Sequence, residues 1–157
     1  MSIVEYLSSR HVRFETLLHR PASAATKLAQ SVHVPGRGVA KTVLVKAGEK
    51  YYLAVLPATS RIDLERLGQV LGIPASSVSL AAQNDIGRFF ADCEPGVIPP
   101  FGRLYGLTTL VDTSLSGSAE IVVPANQRHL GLRIRYRDFE AVELPHRARF
   151  ALPIGKA

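Results

Sequence analysis

Residues 39–56 of the chain read VAKTVLVKAGEKYYLAVL. The two ends of this stretch, residues 39–47 and 51–56, are rich in the β-branched and aromatic residues that favour strands. Gly48 and Glu49 lie between them, and a short connection that contains glycine is typical of a β-hairpin. The sequence therefore predicts a hairpin here, with further strand and helix patterns on both sides of it.

The patterns outside the hairpin predict several short helices and strands. Ser2 and Glu5 have the spacing of a capping box, which predicts an N-terminal helix that runs to about Arg10. Alternating apolar and polar residues predict a strand from Val12 to Leu18. Further helices are predicted at residues 23–32, 63–71, 84–90 and from 136 to before 145, and further strands at 78–81, 107–112, 120–123 and 132–135.

Strands interleaved with short helices, without internal repeats, indicate an α/β (mixed α+β) fold. We expect a single domain over residues 1–157, with a curved, mixed, mostly antiparallel sheet of about six strands flanked by short helices. Residues 145–157 are expected to form a mobile tail.

The composition is that of a globular chain and excludes several classes of protein. Of the 157 residues, 46% are hydrophobic and 20% are charged, which is typical of a folded domain. No apolar run approaches the length of a membrane span, and the N-terminus lacks the pattern of a secretory signal. The one cysteine, Cys93, excludes an internal disulfide framework and a multi-cysteine zinc site. These features favour a cytoplasmic protein that contacts no membrane.

The net charge indicates what kind of partner the chain binds. Nineteen Lys and Arg residues against thirteen Asp and Glu residues give a formal net charge of +6. Much of the excess lies between Arg128 and Arg149. A basic surface favours a polyanionic partner such as nucleic acid, although the same charge is also compatible with solubility alone.

Lys41 and the loop at residues 96–102 are the two unusual features. Alternation places Lys41 on the same strand face as Val43 and Val45, where it either reaches the solvated strand end or enters a pocket that binds an anion or a polar group. The loop, GVIPPFG, combines glycines with two prolines, so that its N–H groups are held in one geometry. Such a loop is either an oxyanion-binding element or only a rigid connector.

No other residue set indicates a catalytic centre. The five histidines lack the spacing of a metal site, and no metal or cofactor is expected. Cys93 could act as a nucleophile only with a neighbouring base and a lowered thiol pKa, and a single cysteine is more often a small core residue.

Several short motifs, in order along the chain, resemble the YbaK/prolyl-tRNA-synthetase-associated family of aminoacyl-tRNA editing domains. The similarity extends from about Phe14 to Phe139. The matching pieces are His19 before Pro21, AKTVLV at 40–45, LPA at 56–58, RIDL at 61–64, EPGVIPPFG at 94–102 and YRDF at 136–139.

The resemblance implies a free-standing, metal-independent hydrolase that cleaves the ester between a wrongly attached amino acid and the 3′ end of tRNA. It implies that the residue matching Lys41 holds the tRNA terminus or the substrate, that the loop supplies backbone groups near the scissile carbonyl, and that the terminal ribose hydroxyl helps to position or activate water. An aminoacyl-tRNA synthetase is a further expected partner. The candidate catalytic residues are Lys41, Gly96, Val97 and Gly102, and the candidate substrate-binding residues are His19, Thr42, Pro99, Pro100 and Phe101.

The chain departs from the family pattern at two places. Many relatives carry a Gly-x-His element where this chain has Arg128 aligned with the histidine and His129 one position later. The pair Pro99–Pro100 replaces a single proline. The departures leave open the amino acid and the tRNA that are recognised. They also motivate a second hypothesis, a non-catalytic module that binds tRNA or a nucleotide. A Cys93-dependent hydrolase is the third hypothesis, and the oligomeric state stays open.

Overall fold

Helices and strands alternate along the computed structural model, which describes residues 1–18 and 38–154. Its strands are β1 (Phe14–Leu18), β2 (Ala40–Ala47), β3 (Lys50–Pro57), β4 (Ser60–Ile62), β5 (Val78–Leu80), β6 (Thr108–Asp112), β7 (Glu120–Pro124), β8 (Leu130–Arg135), β9 (His146–Ala148) and β10 (Ala151–Pro153). Its α-helices are α1 (Ile3–Ser9), α2 (Leu64–Leu71), α3 (Gln83–Phe89), α4 (Thr113–Ser116) and α5 (Tyr136–Glu143). The helix predicted at residues 23–32 lies outside the described residues.

The predicted hairpin is confirmed and forms the middle of the largest sheet. Strands β2 and β3 pair antiparallel, from Ala40 opposite Pro57 to Ala47 opposite Lys50. Strand β5 joins β2 antiparallel, whereas β6 joins β3 in parallel and β9 joins β6 in parallel, which gives the order β5-β2-β3-β6-β9. The mixed, mostly antiparallel α/β class is therefore confirmed.

The strands outside this sheet form two smaller sheets instead of extending it. Strands β1, β8 and β7 make an antiparallel three-stranded sheet, and β4 pairs with β10. The three-stranded sheet meets the large one at a parallel bridge between Val39 and Val122. The described strands are thus divided among sheets of five, three and two, where the sequence predicted about six strands in one sheet.

The two faces of the β2–β3 hairpin belong to different parts of the core. The inner face, which carries Ala40, Leu44, Leu53 and Val55, packs against apolar residues of the three-stranded sheet and of the 96–102 loop. The outer face, which carries Val43, Val45, Ala54 and Leu56, packs against α2 and Phe150. Period-two alternation therefore decides which residues of β2 can meet the loop.

Local capping signals set the ends of α1 and α2. The Ser2 hydroxyl accepts a hydrogen bond from the Glu5 amide, and the Glu5 carboxylate accepts one from the Ser2 amide, as the predicted capping box requires. Asp63 caps α2 at its start, and Gly72 ends it with a φ of 73°. These short-range signals explain why the sequence located both helices correctly.

The C-terminal segment is packed against the core, so the expectation of a mobile tail from residue 145 is wrong for residues 146–154. Strands β9 and β10 form here, and Phe150 between them is fully buried. Asp112, at the end of β6, holds this segment because its Oδ1 accepts hydrogen bonds from the amides of Phe150 and Ala151, at 2.8 and 2.9 Å. The partner that fixes this segment lies 38 residues earlier, which local patterns do not reveal.

Replacing Asp112 with asparagine is expected to lower the free energy of unfolding by about 1–2 kcal/mol at pH 7, since charge-assisted hydrogen bonds become neutral ones. Burial raises the pKa of Asp112, but the donors from Ser114, Phe150 and Ala151 outweigh it, so the carboxyl pKa lies below its ordinary value. A lowered pKa stabilises the folded state above the ordinary carboxyl pKa, and this stabilisation is lost as the pH falls through the folded value. Urea unfolding at pH 7 and at about pH 3 should show the difference between the proteins shrinking in acid. An equal difference at both pH values would contradict the assignment.

Candidate active site

The loop at residues 96–102 is fixed by packing against the hydrophobic core. Gly96 has a φ of 86°, in the left-handed region that favours glycine, and the loop enters the core immediately afterwards. Val97, Pro99 and Pro100 are buried. Phe101 is fully buried, with its ring centroid 6.1 Å from that of Tyr6 and 5.8 Å from that of Phe139. Phe101 therefore lies in the core and shapes the loop from beneath.

Gly102 marks a close approach between the loop and strand β6. A Cβ atom at this position would overlap with Thr109 Oγ1 and would lie 2.7 Å from the Leu107 carbonyl oxygen. The Gly102 amide donates to Thr109 Oγ1 at 3.1 Å, and the Thr109 hydroxyl donates to Glu143 Oε2 at 2.8 Å. Only glycine fits here without displacing the strand.

The loop amides differ in whether they are available to a ligand. Val97 donates its amide to the Glu94 carbonyl oxygen at 3.0 Å, and Gly102 donates inward to Thr109. Among residues 1–18 and 38–154, the amides of Gly96, Ile98 and Phe101 have no hydrogen-bond acceptor, but Phe101 is fully buried and its amide cannot reach a ligand. Of the predicted residues, Gly96 can therefore donate its amide to a ligand in this conformation. The Ile98 amide can do the same, although Ile98 was not among the predicted site residues.

Lys41 is a half-buried cation at the beginning of β2. Its Nζ donates to the Ser60 carbonyl oxygen. A lysine ammonium has three N–H donors, so two remain without an acceptor in the described part of the chain. Burial lowers the pKa of Lys41, because removing the ammonium from water disfavours its charged form. The residue can therefore donate to a further acceptor such as a phosphate or ribose oxygen.

Strand alternation separates Lys41 from the buried part of the loop. Lys41 lies opposite Leu56 and so on the outer face of the hairpin, as the sequence predicted from its alternation with Val43 and Val45. Thr42 lies opposite Val55 on the inner face, and its hydroxyl is buried with no partner among the described residues. Within those residues no hydrogen bond joins Lys41 to the loop, so a ligand that touches both must extend across the start of β2.

Arg128 contacts the N-terminal end of the loop. Its Nε donates to the Pro95 carbonyl oxygen at 3.1 Å, and its amide donates to Glu94 Oε1 at 3.4 Å. His129 is exposed. Arg128, and not its neighbour His129, is therefore the residue that contacts the segment leading into the loop. His19 lies outside the described residues, so the structure says nothing of its predicted role.

Cys93 has the environment of a structural thiol. Burial raises its pKa to about 11, and the neighbouring charge of Asp92 acts in the same direction. Its Sγ lies 3.6 Å from the Tyr105 hydroxyl and 3.4 Å from Asn126 Nδ2. A thiol with this pKa is protonated at neutral pH, and no histidine forms a hydrogen bond with it within the described segments. The hypothesis of a Cys93 nucleophile is therefore not supported by the geometry.

The cysteine belongs to a network that fixes the approach to the loop. Asn126 Oδ1 accepts from the Ile3 amide at 2.8 Å, and the Asn126 carbonyl oxygen accepts from the Glu94 amide at 2.9 Å. Asn126 thus links the N-terminal helix to the segment just before Gly96. A shallow pocket of about 500 Å³ lies beside this network, lined by Met1, Ser2, Ala91, Asp92, Cys93, Glu94, Asn126 and Gln127.

Two further structural properties bear on the class of protein. Across residues 1–18 and 38–154, no three His, Cys, Asp or Glu side chains are grouped as a metal ion would require. No helix in the same residues is both long and apolar enough to cross a membrane.

Comparison with known proteins identifies the family. A model of the aminoacyl-tRNA editing domain matches residues 19–142, which include β2, the loop and most of α5. The chain therefore belongs to the aminoacyl-tRNA editing domain family, and the resemblance seen in its motifs is confirmed. No curated protein sequence matches the chain.

Solved structures show the same fold at low sequence identity. The crystal structure of hypothetical protein APE2540 is 18% identical, with a TM-score of 0.85, and the match covers 96% of this chain and 99% of that one. A second crystal structure, described as that of a proposed trans-editing enzyme for prolyl tRNA synthetase, is 21% identical with a TM-score of 0.80, covering 96% of this chain and 94% of that one. At these identities the comparison establishes the fold.

Proposed function

We propose that the protein is an aminoacyl-tRNA deacylase that acts in trans on a tRNA charged with the wrong, small amino acid. The observation that carries the proposal is the match to the editing domain over residues 19–142. The chain's net charge of +6 suits a tRNA acceptor stem, which proteins recognise largely through its phosphates and shape. A cytoplasmic location and association with an aminoacyl-tRNA synthetase are parts of the same proposal.

The chemistry is the hydrolysis of an ester. Water adds its hydroxyl group to the carbonyl carbon of the amino acid, the bond to the ribose oxygen breaks, and that oxygen takes up a proton. The products are a free amino acid and an uncharged tRNA. The ribose hydroxyl next to the ester helps to position the water, so no catalytic triad or metal is required of the protein.

The loop is proposed to stabilise the oxyanion that forms as water attacks. The amides of Gly96 and Ile98 have no acceptor in the described part of the chain, and the loop that bears them is fixed by buried residues. Donors that are already in place need no reorganisation when the negative charge develops, which is the basis of oxyanion stabilisation. Val97 and Gly102 contribute to the shape of this wall, and Pro99 and Pro100 stiffen it so that larger side chains are excluded.

Lys41 is proposed to hold the 3′-terminal nucleotide beside the loop. The two N–H donors that have no acceptor in the described part of the chain suit a phosphate or ribose oxygen, and the hydrogen bond to Ser60 keeps the ammonium at the start of β2. The nucleotide would lie at Lys41 and the ester at the loop, so that the charged 3′ end spans the strand. Thr42, whose hydroxyl on the inner face has no partner among the described residues, is a further candidate contact.

The experiment that tests this function is deacylation of tRNAs charged with alanine, serine, cysteine or threonine. We expect purified protein to hydrolyse at least one of these esters well above its spontaneous rate. A protein that never exceeds spontaneous hydrolysis on any of them, although it is folded by circular dichroism, would contradict the proposal.

A non-catalytic tRNA-binding module is the second candidate function. Arg128 favours it, because its Nε donates to the Pro95 carbonyl oxygen at a position where the family resemblance implies a histidine. Such a module would bind uncharged tRNA with an affinity that falls steeply with salt, without turnover of any charged tRNA. Measuring binding and hydrolysis on the same preparation separates the two functions.

A further inference from the structure

A buried carboxyl group lies directly beneath the candidate loop. Glu143, the last residue of α5, is 1% exposed. Its Oε2 accepts the Thr109 hydroxyl at 2.8 Å and the Arg103 amide at 3.1 Å, and the Thr109 hydroxyl in turn accepts the Gly102 amide. Two consecutive amides at the end of the loop are therefore bound by one carboxyl group, one directly and one through a hydroxyl.

Core packing alone does not explain a carboxyl group at this position. Glu143 follows Tyr136 and Phe139 on the buried stripe of α5, where an apolar residue would fill the space at lower cost. Its Oε1 is buried with no partner among the described residues, so the group is only half satisfied. What the carboxyl group provides, and an apolar residue would not, is an acceptor for the loop amides.

We propose that Glu143 is a positioning residue that fixes the C-terminal end of the 96–102 loop and thereby aligns the Gly96 and Ile98 amides for the reaction. The influence of Glu143 on deacylation rests on the proposed function, whereas its influence on the position of the loop does not. Because the loop is short and its prolines restrict it, fixing Gly102 and Arg103 also limits where its other end can move.

The charge on Glu143 makes this arrangement sensitive to pH. Burial raises the pKa of Glu143 to about 7, against the opposing hydrogen bonds from Thr109 and Arg103 and the positive charge of Arg103. Arg103, whose Nη1 donates to the Val142 carbonyl oxygen at 3.2 Å, is the charged side chain whose field acts on Glu143. An ionised carboxylate accepts stronger hydrogen bonds than a protonated one. The loop is therefore held more firmly above about pH 7 than below it.

Ionisation of Glu143 strengthens its hydrogen bonds to the loop amides but lowers the free energy of unfolding. A carboxyl whose pKa is raised on folding binds more protons in the folded state than in the unfolded state over the interval from its ordinary value to about 7. The folded state is therefore destabilised as the pH rises through this interval. A loss of activity in acid that accompanies a gain in stability cannot be attributed to unfolding.

The test is the variant Glu143→Gln, which keeps an acceptor oxygen for Thr109 and Arg103 but does not titrate. In the wild type, kcat for deacylation should fall on the acid side with an apparent pKa of about 7, more strongly than KM changes. In Glu143→Gln this acid-side inflection should be absent. Glu140→Gln is the matched control, since Glu140 lies on the same helix and pairs with Arg147 at 2.6 Å, away from the loop.

A second readout needs no enzymatic activity. The amide resonances of Gly102 and Arg103 should shift with pH around 7 in the wild type and in Glu140→Gln, but not in Glu143→Gln. In Thr109→Val, which replaces the hydroxyl with a methyl group, hydrogen exchange at the Gly102 amide should accelerate roughly tenfold while Arg103 stays protected. Resonances that titrate equally in Glu143→Gln would overturn the proposal. Amides that behave as expected in a protein without deacylase activity would instead overturn the proposed function alone.

Discussion

Replacing Lys41 with methionine is expected to slow deacylation by about 10²–10³-fold, the loss typical of removing one group that stabilises or places a reacting charge. Methionine keeps an unbranched apolar chain of similar length on the outer face and lacks the ammonium. Single-turnover deacylation of the most reactive mischarged tRNA measures the effect without interference from product release. We expect a loss of this size because the ammonium's N–H donors that have no acceptor among the described residues would bind the substrate.

The stability of Lys41→Met separates a functional from a structural role. Burial lowers the pKa of Lys41, so the fold already disfavours its charge, and removing that charge is expected to leave the melting temperature unchanged or raise it. Lys46→Met is the matched control, because Lys46 lies on the same strand with its Nζ 5.8 Å from the Tyr51 ring centroid, near the hairpin turn. If Lys41→Met deacylates the tRNA as fast as Lys46→Met does, Lys41 is not part of the active site.

Replacing Gly102 with alanine is expected to lower the free energy of unfolding by about 2–3 kcal/mol, since an added methyl group must displace well-packed atoms. The Cβ would lie 2.7 Å from the Leu107 carbonyl oxygen, a backbone atom that cannot turn aside as a flexible side chain can. For a chain of this size, such a loss lowers the melting temperature by roughly 4–12 °C. Deacylation should fall as well, because the loop must move away from β6.

Gly87→Ala is the control for Gly102→Ala. Gly87 lies inside α3, and a Cβ there would meet nothing within 4 Å. Alanine in a helix interior is more favourable than glycine by about 0.5–1 kcal/mol, so this variant should be slightly more stable than the wild type. If both glycine variants changed the melting temperature alike, the close approach at Gly102 would be disproved.

The parts of the fold that were predicted correctly are those with local signals. The hairpin has β-rich runs on both sides of a short turn, and α1 and α2 have capping residues within three or four positions of their ends. Strands β9 and β10 have three residues each, which is too short for a periodic pattern. Their position depends on Asp112, whose amide partners are 38 and 39 residues away.

The same distinction holds for the candidate site. The loop was recognisable because glycine and proline carry their conformational meaning in the sequence itself. The relay from Gly102 through Thr109 to Glu143 was missed, since its last link joins residues 34 apart. One signal was present: Glu143 falls at the spacing i, i+3, i+7 with Tyr136 and Phe139, where an acidic residue interrupts an apolar stripe.

The most direct test of the account is to map where the charged 3′ end binds. A stable analogue of the aminoacylated terminal adenosine, with an amide in place of the ester, can be titrated into isotope-labelled protein while amide and lysine resonances are recorded. We predict that the resonances of the Gly96 and Ile98 amides and of the Lys41 side chain shift together, with one dissociation constant. Shifts confined to the pocket beside Cys93 and Asn126, with the loop and Lys41 unaffected, would contradict it.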